Sequence, residues 1–441
     1  MASDETAMLE ALGLRSLDEL FLDIPESIRT RGLDLPEGLP EQEVVRRVTL
    51  MLGANRTMAD MPSFLGGGLY DHFVPASVRA IAGRAEFYTS YTPYQPEFSQ
   101  GILQALWEYQ SFVCELTGMD AANTSMYDAS TSLGEAARMA QRIHGGGVFL
   151  VPRALRHNRR SVLDNYTKGA GLTIQEVGYT KAEGTLDLDD LRAKISKEVC
   201  GLYIETPNFF GRFEDHLEEI REAIGSAVLV VGVNPLAQSI VRPPGEFGAD
   251  IVIGEGQILG NAVNFGGPLL GIFAVRQEHV RKMPGRVIGL TKDAHRNRAF
   301  CMTLQTREQH IRRERAMSNI CTNESLLAIA SAAYMAVLGG NGLRRVAAQC
   351  MRTARDLAAR IAKIPGFTAP VFSGPHFNEF TVRYRKGYDP VHRSLLAQGV
   401  HGGVRLRRQL PEVRDAALFS VTERHTKEDL DRLVHALESV R

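Results

Sequence analysis

Four short apolar runs, Val148 to Val151, Gly201 to Ile204, Ala227 to Val233 and Asp250 to Ile253, are separated by longer stretches of helical pattern. Runs this short and this uniformly apolar suit strands buried on both faces, and parallel neighbours need helical crossovers between them. The spacing therefore predicts an α/β architecture with a mostly parallel sheet. A further run, Leu269 to Val275, follows closely on a Gly266-Gly267-Pro268 turn. That link is too short for a helical crossover, so one antiparallel pair is expected there.

Around this core the pattern is helical. Ile102, Leu103, Leu106, Tyr109, Val113 and Leu116 recur at three and four residues, predicting a helix with one buried face that stops at Gly118. Met8, Leu9, Leu12, Leu17, Leu20 and Phe21 give residues 4 to 24 a near-helical spacing ahead of Pro25, and Glu41 to Ala54 resumes it. A helix from Thr322 to Leu338, capped by Thr322 or Asn323, should lead into a tail that reads helix, strand, strand, helix, strand, helix. The tail's strands are expected near Phe367 to Phe372, Phe377 to Tyr384 and Ala416 to Val421, and Thr426-x-x-Asp429 is a capping-box variant for the last helix. At 441 residues the chain is long for one core. The expected division is a helical arm over 1–65, a large domain over 66–338 and a small α+β domain over 339–441.

Composition narrows function by exclusion. Fifty-one basic residues balance fifty-one acidic ones, so no net field draws the chain to nucleic acid or an anionic membrane. The five cysteines, Cys114, Cys200, Cys301, Cys321 and Cys350, are scattered without a CxxC pair, as expected of reduced thiols. The acidic start Met1-Ala2-Ser3-Asp4-Glu5 is unlike a signal peptide, and no stretch reads as a membrane span, so a cytoplasmic location is expected.

The most distinctive segment is Tyr91-Thr92-Pro93-Tyr94-Gln95-Pro96-Glu97-Phe98-Ser99-Gln100-Gly101, preceded by Phe87-Tyr88-Thr89-Ser90. Two prolines hold the backbone out of helix, and the rings offer rigid contact surface, which suits an interface or pocket edge. A surface loop packing its tyrosines on its own domain has the same composition. The segment resembles the signature of the glycine decarboxylases. The likeness continues through Cys114 to Asp120, Ala122 to Asp128, Glu205-Thr206-Pro207-Asn208, Pro243 to Val252, Gly254-Glu255-Gly256-Gln257, Leu304 to Glu314 and Ser318 to Asn323. It covers nearly the whole chain and matches that family's first subunit. The extreme N-terminus departs from it, lacking the aromatic, proline-bearing start that family members commonly have.

The resemblance implies a fold-type I pyridoxal-phosphate transferase-like large domain in three layers, α/β/α, with the small domain and arm attached. It also implies a pyridoxal 5'-phosphate enzyme, an oxidoreductase that decarboxylates glycine and passes the aminomethyl group to the lipoyl arm of an H-protein. Such an enzyme holds its cofactor by a lysine imine and keeps the pyridine nitrogen protonated, usually with an aspartate. No lysine occurs between Lys197 and Lys282, and the expected position reads Ile253-Gly254-Glu255-Gly256-Gln257-Ile258. The strand over 228–233 ends at Asn234, whose neutral amide cannot offset a pyridinium charge. The chain is therefore expected to be catalytically silent alone. Its cofactor would be held by a homologous lysine-bearing second subunit in an αβ or α2β2 assembly.

The site residues expected here are the active-site edge or subunit interface formed by Tyr88, Tyr91, Thr92, Tyr94, Gln95, Pro96 and Glu97. Ser130, Thr131 and Ser132, opening a helix after Asp128, are candidates for a degenerate phosphate cup, with an ordinary N-cap cluster as the plainer reading. Arg312, Arg313 and Arg315, and Arg405, Arg407 and Arg408, read as solvated or salt-bridged faces. Asp71-His72 and His310 lack metal-ligand spacing, no metal site is expected, and Gly66-Gly67-Gly68 reads as a hinge. Two other functions fit the sequence: a structural brace that never touches cofactor, and an independent aminotransferase-like pyridoxal enzyme.

Overall fold

Seven strands form the main sheet: β1 (Ala121–Ala122), β2 (Val148–Pro152), β3 (Thr173–Val177), β4 (Val199–Thr206), β5 (Val228–Val233), β6 (Ile251–Glu255) and β7 (Gly271–Val275). Their order is β1-β7-β6-β5-β4-β2-β3; the pairs from β3 through β6 are parallel, while β7 runs antiparallel to both β6 and β1. This computed structural model describes residues 2–30 and 32–440, in two compact units, Met1–Thr57 and Met58–Arg441.

The apolar runs explain the layering. Along β2, β5 and β6, alternate residues enter opposite cores. Phe149, Val151, Val228, Val230, Ile251 and Ile253 pack with Leu133, Ala136, Ala137 and Ala140 of the helix Ala129–His144. Leu150, Leu229, Val231 and Val252 pack with Leu103, Leu106, Tyr109 and Val113 of the helix Gln100–Thr117. Each such side chain contributes about 1.5–3 kcal/mol by leaving water, so a one-residue register slip would exchange the two cores. Gly118 ends the Gln100–Thr117 helix in the left-handed region (φ 66°), where a side chain would be strained.

Beyond the sheet, β8 (Val287–Lys292) and β9 (Arg298–Thr303) form an antiparallel hairpin the sequence did not announce. The C-terminal sheet holds β10 (Phe367–Thr368), β11 (Glu379–Tyr384), β12 (Val404–Arg405) and β13 (Ala416–Ser420) in the order β10-β11-β13-β12, all antiparallel. The short β12 is an addition to the expected pattern. Thr426 and Asp429 make the reciprocal capping box.

The helix expected over 322–338 differs most. It runs Ser325–Ile361 with a kink at Gly339 (φ 59°), and its N-cap is Glu324, without a side-chain cap. Thr322 and Asn323 are engaged elsewhere: the Thr322 hydroxyl pairs with Tyr91, and Asn323 Nδ2 donates to the Ser125 carbonyl. Contrary to the sequence reading, part of this helix is long and apolar enough to cross a membrane, but half of that apolar stretch is buried inside the protein.

The N-terminal unit holds a helix Ala2–Ala11, a 3-10 turn Leu17–Phe21 and a helix Glu41–Leu52. The helix expected through residue 24 breaks at Gly13, which takes a positive φ of 72°.

Candidate functional site

In open α/β sheets ligands bind beyond the carboxyl ends of the parallel strands. Here β4, β5 and β6 end in Glu205-Thr206, Val233-Asn234 and Glu255, and side chains of this chain fill the space above them. Arg159, in the first turn of the helix His157–Thr167, ion-pairs with Glu205, and its guanidinium also donates to Tyr203 Oη at 3.0 Å. Tyr203 Oη in turn donates to Glu205 Oε1 at 2.8 Å. Gly232 makes this possible, because a side chain there would strike the Tyr203 hydroxyl. Arg156, just before the same helix, reaches Glu379 of β11 at 3.2 Å, and Tyr70 Oη donates to the same carboxylate oxygen at 2.7 Å. All six side chains are buried. Burial opposes the Arg159 charge, but Glu205 and Tyr203 outweigh it and raise the guanidinium's affinity for its proton.

Glu255 stands at the end of β6 and is 7 % exposed. Its carboxylate accepts from the backbone amides of Ala129 (3.1 Å), Gln257 (3.0 Å) and Leu270 (3.0 Å). Ala129 opens the helix Ala129–His144, so this carboxylate occupies the helix N-terminus, where a ligand anion would otherwise be favoured. Burial pushes Glu255 up to about 7 even against these amides. Gln257 is stapled to Tyr70: its Oε1 accepts from the Tyr70 amide at 3.2 Å and its Nε2 donates to the Tyr70 carbonyl at 3.1 Å. Asn234 Oδ1 accepts from the Leu236 amide at 3.0 Å, closing its own turn. A cavity of about 30 Å³ remains.

The second constellation gathers around Arg286, 5 % exposed. Its Nη1 donates to Thr92 Oγ1 at 3.1 Å and its Nη2 to Tyr94 Oη at 2.9 Å, while its guanidinium carbon lies 5.4 Å from the Tyr94 ring centroid. Glu308 approaches Arg286 Nε at 3.7 Å, His310 sits edge-on to Tyr94 at 6.0 Å, and Tyr91 Oη pairs with Thr322 Oγ1 at 2.8 Å. The loop is thus pinned by its polar tips while its rings face solvent. Tyr88 is 70 %, Tyr91 72 % and Phe98 85 % exposed.

The model of the glycine cleavage system P-protein family matches residues 1–437. The chain belongs to that family. It is 47% identical over 439 residues to the probable glycine dehydrogenase (decarboxylating) subunit 1 of Pyrococcus abyssi, covering 98% of this chain and 97% of that one. A crystal structure of a glycine decarboxylase (P-protein) of the glycine cleavage system, in inhibitor-bound form, is 40% identical, with TM-score 0.91 over 99% of this chain and 98% of that one. A sphingosine-1-phosphate lyase of Burkholderia pseudomallei shares the fold at 14% identity, with TM-score 0.67 over 94% and 93% of the two chains. The architecture is thus that of the fold-type I pyridoxal-phosphate enzymes, and the P-protein family is pyridoxal-phosphate dependent. Relatives named as subunit 1 entail a partner subunit.

Pyridoxal phosphate does not fit the cleft of this P-protein chain. The cavity of about 30 Å³ compares with roughly 300 Å³ for the smaller ligand pockets and suits about one or two waters. Glu255 already occupies the helix N-terminus a phosphate would use, and no lysine lines the cavity.

Among the expected site residues, Thr92 and Tyr94 meet at Arg286 and Tyr91 at Thr322. Tyr88, Gln95 and Glu97 are exposed, and the Pro96 carbonyl accepts from Gln100 Nε2 at 2.7 Å. None of them lines the cleft. Thr131 shares a capping box with Asp128, Ser132 Oγ donates to the Asp128 carbonyl at 2.9 Å, and Ser130 is buried. The triple glycine is no free hinge: side chains at Gly66 and Gly68 would strike Glu379 and Arg156, so these glycines let the backbone pass over that ion pair. His72 Nδ1 lies 2.7 Å from Glu423 Oε2 beside Cys350. That separation is a hydrogen bond, shorter than the ~3.3 Å between two ligands of one tetrahedral ion. Arg405 pairs with Asp389 at 2.9 Å, and Arg315 lies 3.8 Å from Glu314. The sequence reading missed Arg156, Arg159, Glu379 and Arg286, none of which sits in a recognisable motif.

Proposed function

We propose that this chain is the cofactor-free first subunit of a glycine decarboxylase, acting in the cytoplasm with a homologous lysine-bearing subunit that holds the pyridoxal phosphate. Together they release carbon dioxide from glycine and pass the aminomethyl group to the lipoyl arm of the H-protein. The filled cleft carries this reading: Arg159 with Glu205, and Arg156 with Glu379, stand where a cofactor would need room. The bound cofactor supplies the electron sink for decarboxylation. This chain's contribution is an aromatic edge, with Tyr88, Tyr91, Thr92, Tyr94, Gln95, Pro96 and Glu97 bordering the partner's pocket. The Arg286 clamp supports that role, because it presents the rings without letting the loop collapse onto its own domain.

Reconstitution tests the reading. Neither purified subunit alone should exchange carbon dioxide into glycine, and the mixture should, with the coenzyme's absorbance travelling with the partner. A lone chain that turns yellow with coenzyme and decarboxylates glycine unaided would overturn it.

A further inference from the structure

Beside the core that packs the long helix on the C-terminal sheet lies a cavity of about 390 Å³, against about 30 Å³ in the cleft, and this size falls among those of small-molecule pockets. Every residue lining it belongs to the unit Met58–Arg441. One wall is a stripe on the helix Ser325–Ile361: Met351, Ala354, Arg355, Ala358 and Ala359 recur at three and four residues and so share one face. Three of the five are alanines, which leave unfilled a space that larger apolar side chains would occupy in a close-packed core. The opposite wall, which includes Pro370, Gly374, Pro375 and His376, is pinned from behind. Arg212, 2 % exposed, donates from Nε to the Ser373 carbonyl at 2.7 Å and from Nη1 to the Pro375 carbonyl at 3.4 Å. Gly374, at a φ of 100°, lies so close to the Arg212 guanidinium that a side chain there would strike it. Helix and turn are thus held apart by their own packing, and the cavity between them is preformed.

Charge selects the ligand. Apart from Arg355 and His376 the lining side chains are apolar. Burial holds His376 down at about 4, so near neutral pH its ring brings no charge. Arg355 is exposed and, among the described residues, has no hydrogen-bond or ion-pair partner. A single unpaired guanidinium beside apolar walls matches a molecule with an apolar body and one anionic end. We infer that this cavity binds a small apolar monocarboxylate, an aromatic or branched-chain acid whose hydrocarbon body lies against Ala354, Ala358, Pro370 and Phe380 while its carboxylate pairs with Arg355. The inference does not depend on the proposed subunit pairing. A ligand held there touches both the helix and the pinned turn, and so favours the folded chain.

Calorimetric titration of the full chain near neutral pH with naphthylacetate, and with naphthylacetamide as its uncharged match, reads the site. The acid should bind saturably and raise the melting temperature, and the amide should bind about tenfold more weakly. Arg355→Gln should weaken the acid about tenfold and leave the amide unchanged. Ala359→Phe, a change at an exposed position, should fill the cavity and abolish binding of both molecules while the unliganded chain melts as wild type does. Equal binding of acid and amide, or wild-type affinity for the acid in Arg355→Gln, would overturn the carboxylate assignment. Undiminished binding by Ala359→Phe, or no saturable binding by the wild-type chain, would overturn the site.

Discussion

The cleft and the aromatic loop put similar side chains to opposite uses. In the cleft, Arg159, Glu205, Tyr203 and Glu379 find their partners inside the chain and are sealed from water. Around Arg286, the Tyr94 and Tyr91 hydroxyls are held by hydrogen bonds while both residues stay exposed. Both arginines face a buried acid, but Arg286, 3.7 Å from Glu308, also turns two donors to Thr92 and Tyr94 and so ties an exposed loop to its domain. The first arrangement should therefore matter to folding and the second to assembly and turnover.

The largest effect separating the two should come from Arg159→Ala. It strands the Glu205 charge in a buried position and should cost about 3–5 kcal/mol in urea unfolding. A cost below 1 kcal/mol would mean the cleft is wetter and looser than described. Next, Glu255 gives the cleft a pH signature. Burial holds it at about 7, above the 4.5 of a free glutamate, so its contribution to stability is complete below pH 4.5 and lost as pH rises through 7. Between pH 5 and 8 the wild-type chain should lose on the order of 3 kcal/mol relative to Glu255→Gln. Parallel stability curves for the two would refute the raised pKa. At the loop, Tyr94→Phe should cost about 1–3 kcal/mol by orphaning the Arg286 donor and Glu97→Gln less than about 0.5 kcal/mol, while both lower glycine decarboxylation by the reconstituted complex roughly tenfold. Full activity in both variants would remove the loop from the pocket edge. The smallest expected change is Tyr88→Phe, which keeps an exposed ring and should alter neither stability nor pairing measurably.

What the sequence made legible follows from interaction range. The parallel strands were readable because burial on both faces leaves uninterrupted apolar runs, and the Gly118 and Thr426 signals act within a single turn. The β8–β9 hairpin was not: its apolar stretches, Val287 to Leu290 and Ala299 to Met302, are short, and the exposed, charge-bearing residues 292–298 between them read as an ordinary loop. The closing of the cleft was illegible for a different reason. Arg156 meets Glu379 across 223 residues and Arg159 meets Glu205 across 46, and nothing local to any of the four announces the pairing. The absence of a lysine and the neutral Asn234 could be read from the sequence, but what fills the space could not. The end of the long helix was misjudged because Gly339 bends it without stopping it.

The Gln257 staple bears on whether the cleft could take a lysine. Tyr70 needs both an acceptor for its amide and a donor for its carbonyl, and the Gln257 carboxamide supplies both. An ammonium offers three donors and no acceptor. Gln257→Lys would therefore orphan the Tyr70 amide, at about 1–3 kcal/mol, before any coenzyme arrived. Each ionic and amide contact in the cleft adds to the cost of opening it, so a single substitution would not make room there.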